Sequence, residues 1–284
     1  MSKKKGEIAK TKQARESFWS KYSTVELILE LFATLLFVFV AIYVSQLVVG
    51  LIMIAILGRD GFAQPIPTAI FSVLYYIIAL VIVVFLAPKL VNLVKSWYKK
   101  KRNPKSRWAK VKSKPMSRKE IGLEGLPTWL DIGSALLGFV AYLILAGILT
   151  FVFSQFDWFN VEEAQEIGFE FGIVGVDRIV AYVVLVVIAP IVEEILFRGW
   201  LYEKLRVRLS RETTVVAASV VSAILVSLLF GFVHGQWNVG VNVFAMSLVL
   251  CAMREITGTI YSGILLHMIK NGIAFYFLFV AGMY

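Results

Sequence analysis

Apolar residues along this chain gather into runs far longer than a soluble helix needs. Crossing a bilayer takes roughly 20 mostly apolar residues. Runs of that kind fall near 27–57, 68–88, 129–152, 178–202, 213–234, 238–254 and 259–281. The pattern predicts an all-α, polytopic membrane bundle of seven helices, or eight if the first run is split. That first run is long enough to tilt strongly or to extend beyond the bilayer. The sixth is short, so the turn before it is expected to sink into the membrane. Residues 1–24 are polar and basic, and the run after them is too long for the core of a cleaved leader. They read as a cytosolic tail leading into a retained helix. The expected division is a tail over 1–24, N-terminal helices over 25–152 and a membrane core over 178–284.

Composition strengthens this picture. The chain is 59% hydrophobic and 17% charged, with a mean hydropathy of +0.78. Soluble domains average about 45–50% apolar and about 25% charged. A soluble globular protein and a disordered one are both excluded. Cys251 is the single cysteine, so no disulfide can form within the chain.

The net charge of +10 matters through its placement. The tail 1–24 carries seven basic residues and two acidic ones, and the segment 89–119 carries thirteen basic residues and no acidic one. Lys204, Arg206, Arg208 and Arg211 mark a third basic turn. By contrast, 153–177 has no basic residue and six acidic ones, Asp157, Glu162, Glu163, Glu166, Glu170 and Asp177. Basic loops stay in the cytosol. In a cell membrane, seven spans with a cytosolic N-terminus place all three basic segments in the cytosol, the acidic loop outside, and Tyr284 outside. The basic loop 89–119, with Trp97, Tyr98 and Trp108 interleaved, reads as a surface for anionic lipid headgroups. It lies between two spans and has no nucleic-acid motif, so nucleic acid is not expected as a partner.

Ionisable groups inside spans are costly and usually functional. Glu193, Glu194, His234 and His267 stand out, with Arg198 and Asn271 beside them. On a helix, neighbours point about 100° apart, so the two glutamates cannot serve one site equally. Glu194 and Arg198 are four apart, in the favourable order for an ion pair. Glu193 is left without a local partner, which suits a general base. Pro190 removes a helix hydrogen bond three residues earlier and can kink the span. The bland alternative makes both glutamates part of a cytosolic helix end. Phe230 packs one turn before His234, and Gly231 allows close helix approach. His234 alone could equally be a satisfied interface residue. His267 and Asn271 share a face and could bind a metal or donate to an oxyanion. They could also form a polar contact between helices. Lys270 is awkward there, since an ammonium could repel a metal or pair with a carboxylate. Asn238 and Asn242 either line the same cavity or contact headgroups. Counting 1.5 Å per residue from the basic turn, Glu193 and His234 differ in depth by roughly 9 Å. A sunken end of the fifth span would reconcile them.

Three motifs in order, Glu193-Glu194 with Arg198, Phe230 with His234, and His267 with Asn271, resemble the CPBP family of intramembrane proteases. That family, also called Abi-like, includes the CAAX prenyl endopeptidases and bacteriocin-processing proteins. Its pattern is EExxxR, then FxxxH, then HxxxN or HxxxB, on successive membrane helices. The resemblance covers about 178–275, and the approach Arg254–Ile260 is similar too. It implies an intramembrane endopeptidase acting on membrane-associated proteins or peptides. Glu193 with His234 would activate water. His267 and Asn271 would stabilise the oxyanion or help hold a metal, and Glu194 and Arg198 would brace the site. His234, His267 and a glutamate could make three zinc ligands, but Glu193 would then be lost as base. Glu193 is therefore favoured as the base, with zinc left open. Water is expected to enter from the cytosolic half. Prenylated substrates are expected only in a eukaryotic or archaeal host, and bacterial relatives of the family are linked to bacteriocin immunity. A non-catalytic immunity or scaffold protein with the same fold is the main alternative. A proton-coupled transporter is a weaker one, because no pair of broken half-spans is evident.

Overall fold

The computed structural model describes residues 24–101, 113–163, 168–169 and 172–282. The tail 1–23, the loop centre 102–112 with Trp108, Glu166, Glu170 and Tyr284 lie outside the described residues. So does most of what bears on the headgroup surface. The chain divides into two compact units, Met1–Phe37 and Val38–Tyr284. Every residue of the candidate site belongs to the second.

All regular structure among the described residues is helical. Seven helical segments are long and apolar enough to cross a membrane: Leu27–Phe62, Pro65–Val94, Trp129–Phe153, Gly175–Leu209, Val215–Phe232, Trp237–Thr257 and Tyr261–Val280. They are spans one to seven below. Large apolar side chains such as Ile56, Leu137 and Phe151 stand at 70% exposure or more on their outer faces. An exposed apolar belt of this kind is a lipid-facing surface.

Two prolines shape spans two and four. Each is preceded by an apolar run and an alanine, Ala87-Pro88 and Ala189-Pro190. Proline has no N–H, and its ring crowds the carbonyl four residues back. In both spans the ladder widens to π-helical spacing just before the pair, over Val81–Leu86 and Val183–Ile188. Span four widens again over Ile195–Tyr202. Such wide turns cluster at functional sites. Glu193 and Glu194 end the short α-helical stretch Ala189–Glu194 between the two.

The core gathers around span four. Ala69, Ala181, Val184, Val186, Phe275 and Phe279 form one buried apolar cluster joining spans two, four and seven. A short helix, Arg118–Ile121, caps the other end. Ser117 and Glu120 satisfy each other's backbone N–H there in a capping box. Ile121 is buried against Gly199, where any side chain would collide with it. Arg254 Nη2 donates to the Glu120 carbonyl at 2.9 Å, and Ile260 N–H to that of Gly122 at 3.1 Å. The basic loop thus returns to the turn between spans six and seven. Asn92 also pairs with both backbone groups of Ser113, at 2.7 and 2.8 Å.

Spans five and six touch backbone to backbone. A Cβ at Gly231 would come within 2.8 Å of the Gly240 carbonyl oxygen, and one at Gly240 within 3.1 Å of that of Gly231. This contact lies three residues before His234. Gly231→Val is therefore expected to destabilise the protein by about 1–3 kcal/mol, as overpacking does, seen as a lowered melting temperature in detergent. Gly147→Ala is the control. Nothing lies within 4 Å of its Cβ position, and a helical Gly-to-Ala change should leave the melt unchanged or raise it slightly.

Candidate active site

The Glu194 carboxylate is completely buried, and Arg198 is 1% exposed. Arg198 Nη1 donates to Glu194 Oε1 at 2.9 Å, as the four-residue spacing predicts. The guanidinium also lies over the Phe230 ring, 4.4 Å from its centroid. His267 Nδ1 lies 3.2 Å from the same Glu194 oxygen. Glu194 Oε2 rests against Gly263, whose missing side chain makes the room: a Cβ there would meet it at 2.9 Å. Span seven can therefore press His267 onto this ion pair.

Glu193 points elsewhere, as the 100° offset requires. Its side chain keeps 15% exposure. The Tyr76 hydroxyl, from span two, donates a short hydrogen bond to Glu193 Oε1. Glu193 Oε2 lies 3.7 Å from His267 Nε2. The His267 ring is thus flanked by both glutamates, one at each nitrogen. No hydrogen bond or ion pair joins Glu193 to His234 directly; the imidazole that Glu193 approaches is His267.

His234 lies two residues beyond the end of span five, in the turn before Trp237. Gly235 enables that turn with a left-handed φ of 76°. The Phe230 ring stands edge-on to both imidazoles, with centroids 4.9 Å from His234 and 6.0 Å from His267. His234 Nδ1 is 2.7 Å from the Phe230 carbonyl oxygen. A carbonyl only accepts, so Nδ1 carries the proton and Nε2 presents a lone pair. Burial pushes the His234 imidazole below its ordinary value of 6.5. The Glu193 charge and the Phe230 carbonyl oppose this, while Lys270 and His267 add to it.

Asn271 has a role that its residue type alone does not reveal. Its side-chain amide donates to the Leu185 carbonyl at 2.9 Å. In the π-helical stretch, Ala189 N–H reaches back five residues to Val184. The next rung would run from residue 190 to Leu185, and Pro190 has no hydrogen to give. Asn271 supplies it. This clamp ties span seven to span four one turn from His267 and leaves one amide hydrogen over.

Asn238 and Asn242 line a cavity of about 430 Å³ together with Lys270, and none of Glu193, His234, His267 and Asn271 is among its lining residues. Tyr142 donates to Asn242 Oδ1 at 2.7 Å, and Asn238 Nδ2 to the Glu163 carbonyl at 2.6 Å. Phe159 and Val161, from the acidic connection after span three, form part of its wall. This cavity lies towards the end of the bundle where His234 sits, beside the acidic connection. Sequence reasoning missed Tyr76, which lies 117 residues from Glu193 with no motif around it.

No three His, Cys, Asp or Glu side chains among the described residues are placed to hold a metal ion. Both His267 nitrogens face carboxylates, and His234 Nδ1 is held by a carbonyl. No step below runs through a metal.

The fold and this cluster define a multi-pass helical membrane protein with an acid–histidine site between its spans. Residues 175–273 match the family model described as type II CAAX prenyl endopeptidase Rce1-like. The matched segment holds Glu193, Glu194, Arg198, Phe230, His234, His267 and Asn271, so the resemblance to the CPBP family stands on it. Tyr76 lies outside it. No curated protein and no solved structure matches the chain.

Two outcomes follow from this geometry. Asn271→Ala leaves a buried carbonyl unpaired, which costs about 1–3 kcal/mol. In a Pro190→Ala background the restored N–H should make the same change cheaper, a coupling that melts of the four proteins would measure. In NMR titrations of ring-labelled protein, His234 should titrate below 6.5. Lys270→Met removes a neighbouring positive charge, so the midpoint should rise.

Proposed function

We propose that the chain is an intramembrane endopeptidase with Glu193 as its general base. The family match supports CAAX-type endopeptidase activity at the level of the family. The observation that carries the finer reading is the state of Glu193. It is the partly exposed carboxylate of the pair, held on one oxygen by Tyr76, with the other oxygen beside an imidazole. Glu194 is sealed in with Arg198 and suits a bracing role.

In this reading a water molecule sits between Glu193 Oε2 and the His234 Nε2 lone pair. Glu193 takes a proton from it as the oxygen attacks the scissile carbonyl carbon. The carbonyl oxygen becomes an oxyanion, and the remaining amide hydrogen of Asn271 is available to it. Collapse breaks the C–N bond, and the proton held on Glu193 passes to the leaving nitrogen. The products are a carboxylic acid and an amine, with one water consumed. His267 holds the two glutamates apart and keeps Glu193 Oε2 directed at the water. The substrates proposed are membrane-associated peptides or proteins.

The test compares new peptide termini in membranes holding wild type or Glu193→Gln at equal expression. Termini should appear with wild type and fall by about 10²–10⁴-fold in the variant, the range that a general base supplies, with membrane insertion unchanged. Tyr76→Phe removes one hydrogen bond to the charged base and should lower the rate by about tenfold or more. Profiles identical for wild type and Glu193→Gln, with the cellular phenotype intact, would favour the non-catalytic immunity or scaffold role instead.

A further inference from the structure

Spans one and two lie outside the residues that match the family model, yet span two places Tyr76 on the base. Tyr76 does not act there by itself. Its neighbour Tyr75 packs beside it, with ring centroids 4.4 Å apart and planes 33° from parallel. Phe71, one turn earlier, backs the Tyr75 ring at 5.2 Å. The Tyr75 hydroxyl is hydrogen-bonded on two sides, to Tyr76 and to Gln46 of span one.

Helix register puts Gln46 there. Spans one and two are joined by a short turn and run antiparallel. Span one comes close at Gly50, whose Cβ would meet the Phe71 ring at 3.6 Å. One turn back along span one and one turn on along span two, the same register brings Gln46 level with Tyr75. Gln46 is half-buried, and the next two residues, Leu47 and Val48, are exposed on the apolar outer surface. An amide within hydrocarbon needs a partner, and Tyr75 is that partner. Counting protons gives the bonds a direction. An ionised carboxylate only accepts, so the one hydroxyl hydrogen of Tyr76 is committed to Glu193. The Tyr76 oxygen therefore accepts from the Tyr75 O–H. With that hydrogen committed, the Tyr75 oxygen accepts from the Gln46 amide. All three donors point the same way, and in a low-dielectric setting each bond polarises the next.

We propose that Gln46 and Tyr75 are positioning residues for the base, acting through Tyr76 as one directed chain of hydrogen bonds that ends on Glu193. The inference rests on the endopeptidase reading for the role of Glu193; the chain of hydrogen bonds does not. The chain secures Glu193 Oε1 and leaves Oε2 to the water and to His267. It starts at an amide, which neither gives up nor takes on a proton near neutral pH. It therefore holds the carboxylate without offering a route by which a proton taken from water could leave. That proton stays on Glu193 for the leaving nitrogen. Spans one and two thereby belong to the working site rather than to its packing alone.

The test uses full-length protein in nanodiscs, with tyrosine isotope-labelled at the ring carbon bearing the hydroxyl and read by NMR. Tyr76→Phe identifies the Tyr76 signal among those of the eleven tyrosines. Gln46→Leu should move that signal, although the hydrogen bond it removes is to Tyr75. In a Tyr75→Phe background the same change should move it no further. An unmoved Tyr76 signal in Gln46→Leu overturns the chain, even if Tyr75→Phe fails to fold. A shift that persists undiminished in the Tyr75→Phe background overturns it too, because packing then carries the effect. The rate at which new peptide termini form is read in membranes holding the same variants. Tyr75→Phe should slow it by about 2–10-fold, the worth of one hydrogen bond, and should have no effect in a Tyr76→Phe background. No slowing, or equal slowing in both backgrounds, overturns the positioning role. An absence of termini even with wild type removes the endopeptidase reading, and the NMR comparison still decides the chain.

Discussion

The site depends on one buried carboxylate. Glu194 has no exposure, and an ion placed there alone would cost several kcal/mol. Arg198 makes it tolerable by donating from one turn away. The guanidinium is in turn stabilised over the Phe230 ring. That ring stands beside both imidazoles. His267 reaches the same carboxylate because Gly263 lets span seven approach it. Charge compensation at Glu194 therefore holds spans four, five and seven in one register, and Glu193 inherits its position from it.

Proline supplies the second constraint. A missing N–H at residue 190 widens the helix and frees the Leu185 carbonyl, and Asn271 fills that gap from span seven. Irregular backbone within a membrane persists only where neighbours satisfy its polar groups. The disruption of span four and the polar face of span seven are thus one device. Span two contributes at the same level through Tyr76, which secures the oxygen of Glu193 that is not turned to His267.

Much of this was legible in the sequence because it is local. Hydropathy located all seven spans, with ends within seven residues of those observed. The i,i+4 spacing foretold the Glu194–Arg198 pair and the packing of Phe230 on His234. It also set Glu193 and Glu194 to different tasks. The pairing of His267 with Asn271 was only half legible. They share a helix face, yet one meets two carboxylates and the other a carbonyl released by a proline 81 residues earlier. Zinc was open on residue types alone, and among the described residues no three His, Cys, Asp or Glu side chains are grouped to hold a metal ion.

Apolar periodicity, the basic and acidic loops and three short motifs determined the bundle and the residues with chemical potential. Each is set by neighbours within a turn or by the length of a run. Tertiary structure decided which nitrogen faces which oxygen, that Tyr76 joins the base from a span with no motif, and that Lys270 faces a cavity. Close approach at Gly231 and Gly240 joins spans five and six, and at Gly263 it brings span seven onto Glu194. Backbone approach there is a property of two helices together, and neither helix records it alone.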